Sequence, residues 1–260
     1  PRNRALVQNA FLMEAVDGNF DRAVELARRL TLLNPQDRLS KLWLAVSAFR
    51  AGRFREAEDA FRASGADPIS RLAARLALAW TAQARGDTKL ALQRLNSTGR
   101  AEWARFYATY HRALIADVAQ RRPLADDSFT SVIKRDPRAA RTAIARARSY
   151  SARGDRQSAM RALLAHQTRT GGVGHPSTSK LLEQIRGGAA PGLLVSDATE
   201  GLAEVFYGLG EALASESRNN LLGTLYLQLA VTLRQPFPFA LAALANLYES
   251  QEQYARANQT

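Results

Sequence analysis

The chain contains no cysteine, so its three histidines are the side chains best suited to metal binding or catalysis. His111, His166 and His175 have no carboxylate or second histidine at the spacing with which one helix holds a metal ion. The lack of cysteine also excludes disulfides, thiolate zinc sites and cysteine nucleophiles. We therefore expect no metal and no cofactor, and we expect His111 to serve packing or a binding surface.

Three further motifs give no reason to expect catalysis. Residues 170–175 are glycine-rich, but they lack the Lys and Ser/Thr that end a phosphate-binding loop, and they follow a predicted helix where that motif needs a strand. Asp126 and Asp127 open a predicted helix, where the helix dipole favours negative charge. Asn96-Ser97-Thr98 matches a glycosylation acceptor, a pattern too common to carry weight. We therefore expect a protein that is not an enzyme.

The elements that would position a binding surface recur every 34 residues. Gly18, Gly52, Gly86 and Gly154 stand at multiples of this interval, and Gln120 occupies the one remaining place. Glycine accepts the left-handed backbone conformation that closes a helix. Each of these positions is therefore predicted to end the first helix of a helical hairpin.

Alanines recur with the same period at sites where two antiparallel helices must approach closely. Asn34-Pro35 and Asp136-Pro137 end second helices in equivalent places, since a residue before proline is disfavoured in the helical conformation. The small positions are Ala23, Ala57, Ala91, Ala125 and Ala159 in second helices, and Ala45, Ala79, Ala113 and Ala147 in first helices.

On these residues the sequence resembles the tetratricopeptide repeat (TPR) family, whose unit is a helix, a turn and a helix in 34 residues. The resemblance implies an all-α fold, a TPR-type α-solenoid of antiparallel helix hairpins wound into a right-handed superhelix. Residues 1–167 would form five hairpins, residues 168–198 an inserted segment with a short helix, and residues 199–260 one further hairpin and a truncated final one. Because the last predicted helix stops in its first turns, we expect the chain to be part of a longer repeat protein.

In this family the first helices line a concave groove, and their inward positions here run from aromatic to basic. Such a groove suits an extended or helical peptide that has apolar anchors and an acidic end. The alternative is that the aromatic side chains only pack between neighbouring helices. The predicted partner-binding residues are Leu39, Trp43, Val46, Phe49, Leu76, Trp80, Tyr107, Tyr110, His111, Arg141 and Arg148.

The net charge of +12 favours acidic partners, anionic lipid surfaces or nucleic acid, and only four of the 36 basic residues are lysine. The arginines are spread over both helices of many repeats and do not form a stripe interleaved with exposed aromatic residues. We therefore favour a protein-protein interaction scaffold, with a basic RNA- or nucleic-acid-binding repeat protein as the alternative.

The apolar stretches at residues 221–233 and 237–248 are shorter than the ~20 residues of a membrane-spanning helix, so we expect no transmembrane segment. The arginine- and alanine-rich composition resembles bacterial members of the family. These often serve in envelope biogenesis, secretion or polymer export, which implies the periplasm and cell envelope or the cytoplasm as the compartment.

Overall fold

A computed structural model of the chain describes residues 3–96, 101–214 and 220–260. Within these ranges the chain forms fifteen α-helices and no strand, which confirms the predicted all-α fold. Ser97 and Thr98 of the glycosylation motif lie outside the described residues.

The chain divides into two compact units. Unit 1 comprises Pro1–Arg94 and Ala198–Thr260, and unit 2 comprises Leu95–Asp197. The first part of unit 1 contains α1 (Arg4–Val16), α2 (Phe20–Leu33), α3 (Arg38–Arg50), α4 (Phe54–Ser64), α5 (Pro68–Ala84) and α6 (Thr88–Leu95). Unit 2 contains α7 (Glu102–Val118), α8 (Arg122–Arg135), α9 (Ala140–Ala152), α10 (Arg156–Arg169) and α11 (Pro176–Arg186). The second part of unit 1 contains α12 (Ala198–Ala214), α13 (Asn220–Leu233), α14 (Pro238–Ser250) and α15 (Tyr254–Gln259).

The hairpin turns take the predicted left-handed conformation. The φ angles of Gly18, Gly52, Gly86 and Gly154 lie between 72° and 80°. In the second turn the amide of Arg53 donates to the carbonyl of Ala48 at 2.9 Å, the six-residue closure of a Schellman motif. Equivalent hydrogen bonds close the other turns, including the one in which Gln120 replaces glycine at a φ of 56°.

The repeating alanines lie in the predicted close helix contacts. All nine of them are 0% exposed. Beneath those of the second helices lie larger side chains such as Phe61 and Phe129, which are also 0% exposed. The 34-residue period therefore marks the core of each hairpin.

Helix α5 begins at Pro68 because Asp67 caps it. The Asp67 carboxylate accepts from the amides of Ile69 and Ser70 at 2.9 and 3.0 Å, and the Ser70 hydroxyl returns a hydrogen bond to Asp67. Burial by itself raises the pKa of Asp67, but these hydrogen bonds hold it below its usual value.

Unit 1 brings the two ends of the described chain together. Helices α1 to α5 stack in chain order, and the α12/α13 hairpin packs back onto this stack, with α12 on α5 and α13 on α1. The side-chain amide of Gln228 on α13 donates to the carbonyl of Val16 at 2.9 Å, and the Tyr248 hydroxyl donates to the same carbonyl at 3.1 Å. Arg256 pairs with Asp17. Contacts between residues more than 200 positions apart therefore hold unit 1 together.

Unit 2 consists of two hairpins, α7/α8 and α9/α10, and α11 packs against both α9 and α10. The segment after the fifth hairpin contains the short helix α11. Residues 189–197 follow it without helix or strand. We call this stretch the strap.

Candidate functional site

The predicted groove residues of the second and third repeats lie inside unit 1. Trp43 and Trp80 are 1% and 0% exposed, and Val46, Phe49 and Leu76 are also buried. The Phe11 ring meets the Trp43 ring edge to face, with centroids 5.4 Å apart. In this structure, these side chains pack against the chain's own helices.

The α12/α13 hairpin covers part of this surface. Gly201 on α12 lies against the Trp80 ring so closely that an added Cβ would stand 2.3 Å from a ring carbon. Next to it, Leu39 and Leu42 of α3 line an apolar pocket of about 250 Å³ together with Leu222 of α13. The hairpin therefore covers Trp80 from the side of α12.

The predicted residues of the fourth and fifth repeats lie on neighbouring helices of unit 2. Tyr107 is half-buried. Tyr110 and His111 are buried, with exposed fractions of 6% and 1%, and their rings make an edge contact with centroids 5.5 Å apart. Arg141 and Arg148 on α9 are both half-buried. Helices α7 and α9 contact each other, so the structure places the aromatic and the basic residues on adjoining elements.

Trp103 belongs to the same surface but was missed in the sequence. It stands four residues before Tyr107 and seven before Tyr110, a spacing that places the three side chains on one face of α7. Its side chain is 41% exposed. The helical spacing of the aromatic residues was the signal that could have found it. We call Trp103, Tyr107, Tyr110, His111, Arg141 and Arg148 the α7/α9 face.

The strap meets the α7/α9 face at Arg148. The Arg148 Nε donates to the backbone carbonyl of Gly192 at 2.7 Å. Two and three residues later, Leu194 and Val195 are 4% and 1% exposed. A charged donor on the carbonyl and two buried aliphatic side chains therefore hold a non-helical segment in place.

A buried polar network fixes the frame behind the face. The Ser149 hydroxyl of α9 donates to Asp117 of α7 at 2.7 Å, and Arg153 donates to Asp117 at 3.2 Å and to Asp126 of α8 at 2.8 Å. Burial raises the pKa of Asp117, against the lowering effect of Ser149 and Arg153. Because three helices share this network, the α7/α9 face rests on a rigid support.

Three arginines of unit 1 form ion pairs with one buried carboxylate. The Glu58 side chain is 7% exposed and pairs with Arg62, Arg85 and Arg94 at 2.9, 3.2 and 2.9 Å. Burial by itself raises the pKa of Glu58, but the hydrogen bonds and charges of Arg94, Arg85 and Arg62 hold it below its usual value. These three arginines serve structure, and that reduces the positive charge available to an anionic partner.

The other histidines have structural surroundings. The Nδ1 of His166 on α10 is buried without a hydrogen-bond partner among the described residues. The His175 Nδ1 accepts from the amide of Ser177 and caps α11. Within residues 3–96, 101–214 and 220–260, no group of three His, Asp or Glu side chains could hold a metal ion. No helix in the described part of the chain is both long and apolar enough to cross a membrane.

Comparison with solved structures finds proteins of similar fold. No protein-family model matches the sequence, and no curated protein matches it. The chain is similar to the solved structure of a tetratricopeptide repeat protein from Parabacteroides merdae ATCC 43184, with 15% identity, 99% of this chain and 90% of that chain covered, and a TM-score of 0.49. The 34-residue period and the repeated Schellman turns belong to this chain itself. Its fold is TPR-like.

Proposed function

We propose that this chain is a non-enzymatic protein-interaction scaffold whose α7/α9 face binds an extended segment of a partner protein. One observation supports this most directly: Arg148 of the face already binds a non-helical stretch of polypeptide, through its hydrogen bond to the Gly192 carbonyl. A donor that recognises a backbone carbonyl can serve any peptide, so side-chain contacts must supply selectivity.

The chemistry of the face suits a peptide with apolar anchors and acidic character. Trp103 is 41% exposed and Tyr107 is half-buried, and Arg141 and Arg148 lie half-buried on the adjoining helix α9. Aromatic side chains and arginine are the residue types that contribute most to binding energy at protein interfaces. Leu39, Trp43, Val46, Phe49, Leu76 and Trp80 enter the proposal as a second surface, which a partner would use only after displacing the α12/α13 hairpin.

The pathway is proposed by analogy with bacterial repeat proteins of similar composition. We place the scaffold in envelope biogenesis, secretion or polymer export. A basic chain in these processes would meet acidic partners, whose approach its net charge of +12 accelerates.

The test compares the wild-type chain with a face variant, Tyr107→Ser/Arg148→Gln, as bait in a lysate of the source cell. The matched control, Tyr254→Ser/Arg161→Gln, loses the same two residue types at exposed sites on α15 and α10. Circular dichroism first establishes that both variants fold. We expect partner proteins to be lost with the face variant, kept with the control and unaffected by nuclease. A peptide array tiling the captured proteins then identifies the bound segment.

Nucleic acid is the competing outcome of the same experiment. Binding that relies on phosphate contacts falls steeply with salt, whereas a peptide held by apolar anchors is much less sensitive. Captured material that disappears with nuclease or salt, and is equal for the face variant and the control, would reject the proposed function.

A further inference from the structure

The strap, residues 189–197, contacts the α7/α9 face at Arg148. It follows α11 and contains no helix or strand, although the segments on both sides of it are helical. Its backbone carbonyl at Gly192 accepts a hydrogen bond from Arg148, a member of the α7/α9 face. The strap therefore occupies one of the groups that a partner peptide would need.

The position of the strap is set from its start. Helix α11 packs against α9 and α10, and the Arg156 guanidinium of α10 donates to the carbonyl of Arg186, the last residue of α11. Gly188 then takes a φ of 96°, a conformation that glycine adopts without strain and that redirects the chain. These contacts set the direction in which the chain leaves α11 and reaches α9.

The sequence of the strap matches the partner chemistry inferred for the face. Leu193, Leu194 and Val195 are aliphatic, and Ser196 and Asp197 end the stretch with a polar and an acidic residue. Leu194 and Val195 are buried, while Ser196 and Asp197 are exposed. The strap thus combines apolar anchors with an acidic end.

We propose that the strap is a built-in competitor of the partner, so that an extended peptide with two adjacent aliphatic residues and a following acidic residue binds the α7/α9 face by displacing it. This inference rests on the proposed function. It adds the chemical pattern of the partner and an autoinhibitory contact that the partner must release.

The strap is part of the same chain as the α7/α9 face, and this covalent link sets how strongly the strap competes with a free peptide. A segment joined by a short linker acts at an effective concentration in the millimolar range, so it outcompetes a free peptide of equal intrinsic affinity until that peptide reaches similar concentrations. Loosening the strap removes this competition and leaves the face itself unchanged. The affinity for a free peptide should then rise, a result opposite to that of a substitution in the binding site.

The probe is a fluorescein-labelled peptide with the sequence of residues 189–197, and its binding to the full chain is measured by fluorescence anisotropy. The loosened variant is Leu194→Ser/Val195→Ser. Its control, Leu164→Ser/Val173→Ser, also loses one leucine and one valine, but at sites that are 39% and 82% exposed. We expect the dissociation constant to fall at least ~10-fold in the loosened variant relative to wild type and control. Adding Arg148→Gln to the loosened variant should remove this gain.

A second measurement leaves the chain unmodified and does not depend on whether the loosened variant folds. Hydrogen exchange of the wild-type chain is followed with and without a saturating amount of the labelled peptide. Displacement predicts faster exchange of amides 193–197, with unchanged protection in α7 and α9. Unchanged exchange in the strap at saturation would overturn the proposal.

The outcomes separate this inference from the proposed function. If wild type and the loosened variant bind the probe equally, or neither binds it, the strap is not a competitor and the inference fails. The lysate comparison between the face variant and its control decides the proposed function independently of that result. A ~10-fold gain that Arg148→Gln abolishes, together with faster exchange in the strap, supports the inference.

Discussion

Gln120 holds a backbone conformation that glycine holds in the four equivalent turns. Its φ of 56° places a residue with a Cβ in the left-handed region, which costs about 1–2 kcal/mol relative to the right-handed region. We therefore expect Gln120→Gly to stabilise the chain by ~0.5–1 kcal/mol, after the greater unfolded-state freedom of glycine is subtracted. Urea unfolding followed by circular dichroism measures the difference.

The substitution of a turn glycine by glutamine is the matched control for this prediction. At Gly86, with a φ of 80°, an added Cβ would meet no atom within 4 Å, so any cost comes from backbone conformation alone. Gly86→Gln should destabilise the chain by a similar amount. Two substitutions with the same sign would contradict the assignment of these turns as equivalent.

His166 gives unit 2 a predictable response to acid. Burial lowers its pKa from the usual 6.5, with further lowering from His175 and Arg169, against the raising effects of Pro137 and Asp136. As the pH falls, the unfolded chain therefore binds this proton before the folded chain does. The contribution to stability is complete above about pH 6.5 and is lost as the pH falls towards the lower folded pKa.

The variant His166→Gln isolates this response. Glutamine keeps a polar side chain but cannot titrate, so the urea midpoint of the variant should fall less than that of wild type between pH 7.5 and pH 5.5. Both chains share every other ionisable group, and the comparison therefore removes their contributions. An identical loss in both chains would show that the buried imidazole does not set the acid response.

At the scale of elements, the contact between α12 and α5 depends on a glycine, Gly201, at the point where the two helices meet. A methyl group generally favours a helix, since alanine has a helix propensity ~1 kcal/mol better than glycine. At Gly201 we expect alanine to lower the stability instead, because the added Cβ would stand 2.3–2.4 Å from three atoms of the rigid Trp80 ring. We expect Gly201→Ala to destabilise the chain by about 1–3 kcal/mol, the usual cost of overpacking.

Tryptophan fluorescence and urea unfolding together test this contact. Displacement of α12 should expose Trp80 and shift its emission to longer wavelength. Gly192→Ala is the control, because a Cβ there meets no atom within 4 Å. A stabilised Gly201→Ala chain with unchanged emission would mean that α12 and α5 are not packed in this way.

Local sequence signals predicted the hairpins but not their partners. The turns at Gly18, Gly52, Gly86 and Gly154 agree with the prediction, because capping residues, glycines and prolines act within one or two turns of the chain. The packing of α12 on α5 has no such local signal. Gly201 looks like an ordinary interruption until Trp80 is placed against it.

The same distinction applies to the candidate site. The helical spacing of Tyr107 and Tyr110 predicted one face of α7, and the same spacing would have included Trp103. The contact between Arg148 and Gly192 joins residues 44 positions apart and follows from where α11 directs the chain. Such a contact becomes visible only when the elements are assembled.

At the scale of the whole molecule, unit 1 differs from an array in which each repeat contacts only its neighbours. In such an array, loss of the terminal hairpins leaves the remaining repeats folded. Here α13 packs on α1, and Gln228 and Tyr248 both donate to the carbonyl of Val16. The second part of unit 1 therefore completes the core of the first part.

A chain truncated to residues 1–197 should lose the stability of unit 1 and not merely that of its last hairpins. Removal of α12 uncovers Trp80, and removal of α13 takes away one of the two helices that pack on α1. We expect a red-shifted tryptophan emission, binding of a hydrophobic dye such as ANS, and loss of cooperative unfolding for residues 3–94. Hydrogen exchange would locate the lost protection in α1, α3 and α5.

Removal of residues 254–260 provides the control for truncation itself. It deletes α15, which has no buried residue, and breaks the Arg256 to Asp17 pair, whose side chains are 44% and 38% exposed. Since exposed ion pairs contribute about 0–1 kcal/mol, this shorter chain should unfold almost as the full chain does. If both truncations cost equally little, unit 1 is an ordinary open array, and Trp43 and Trp80 would be accessible to a partner without displacing any helix.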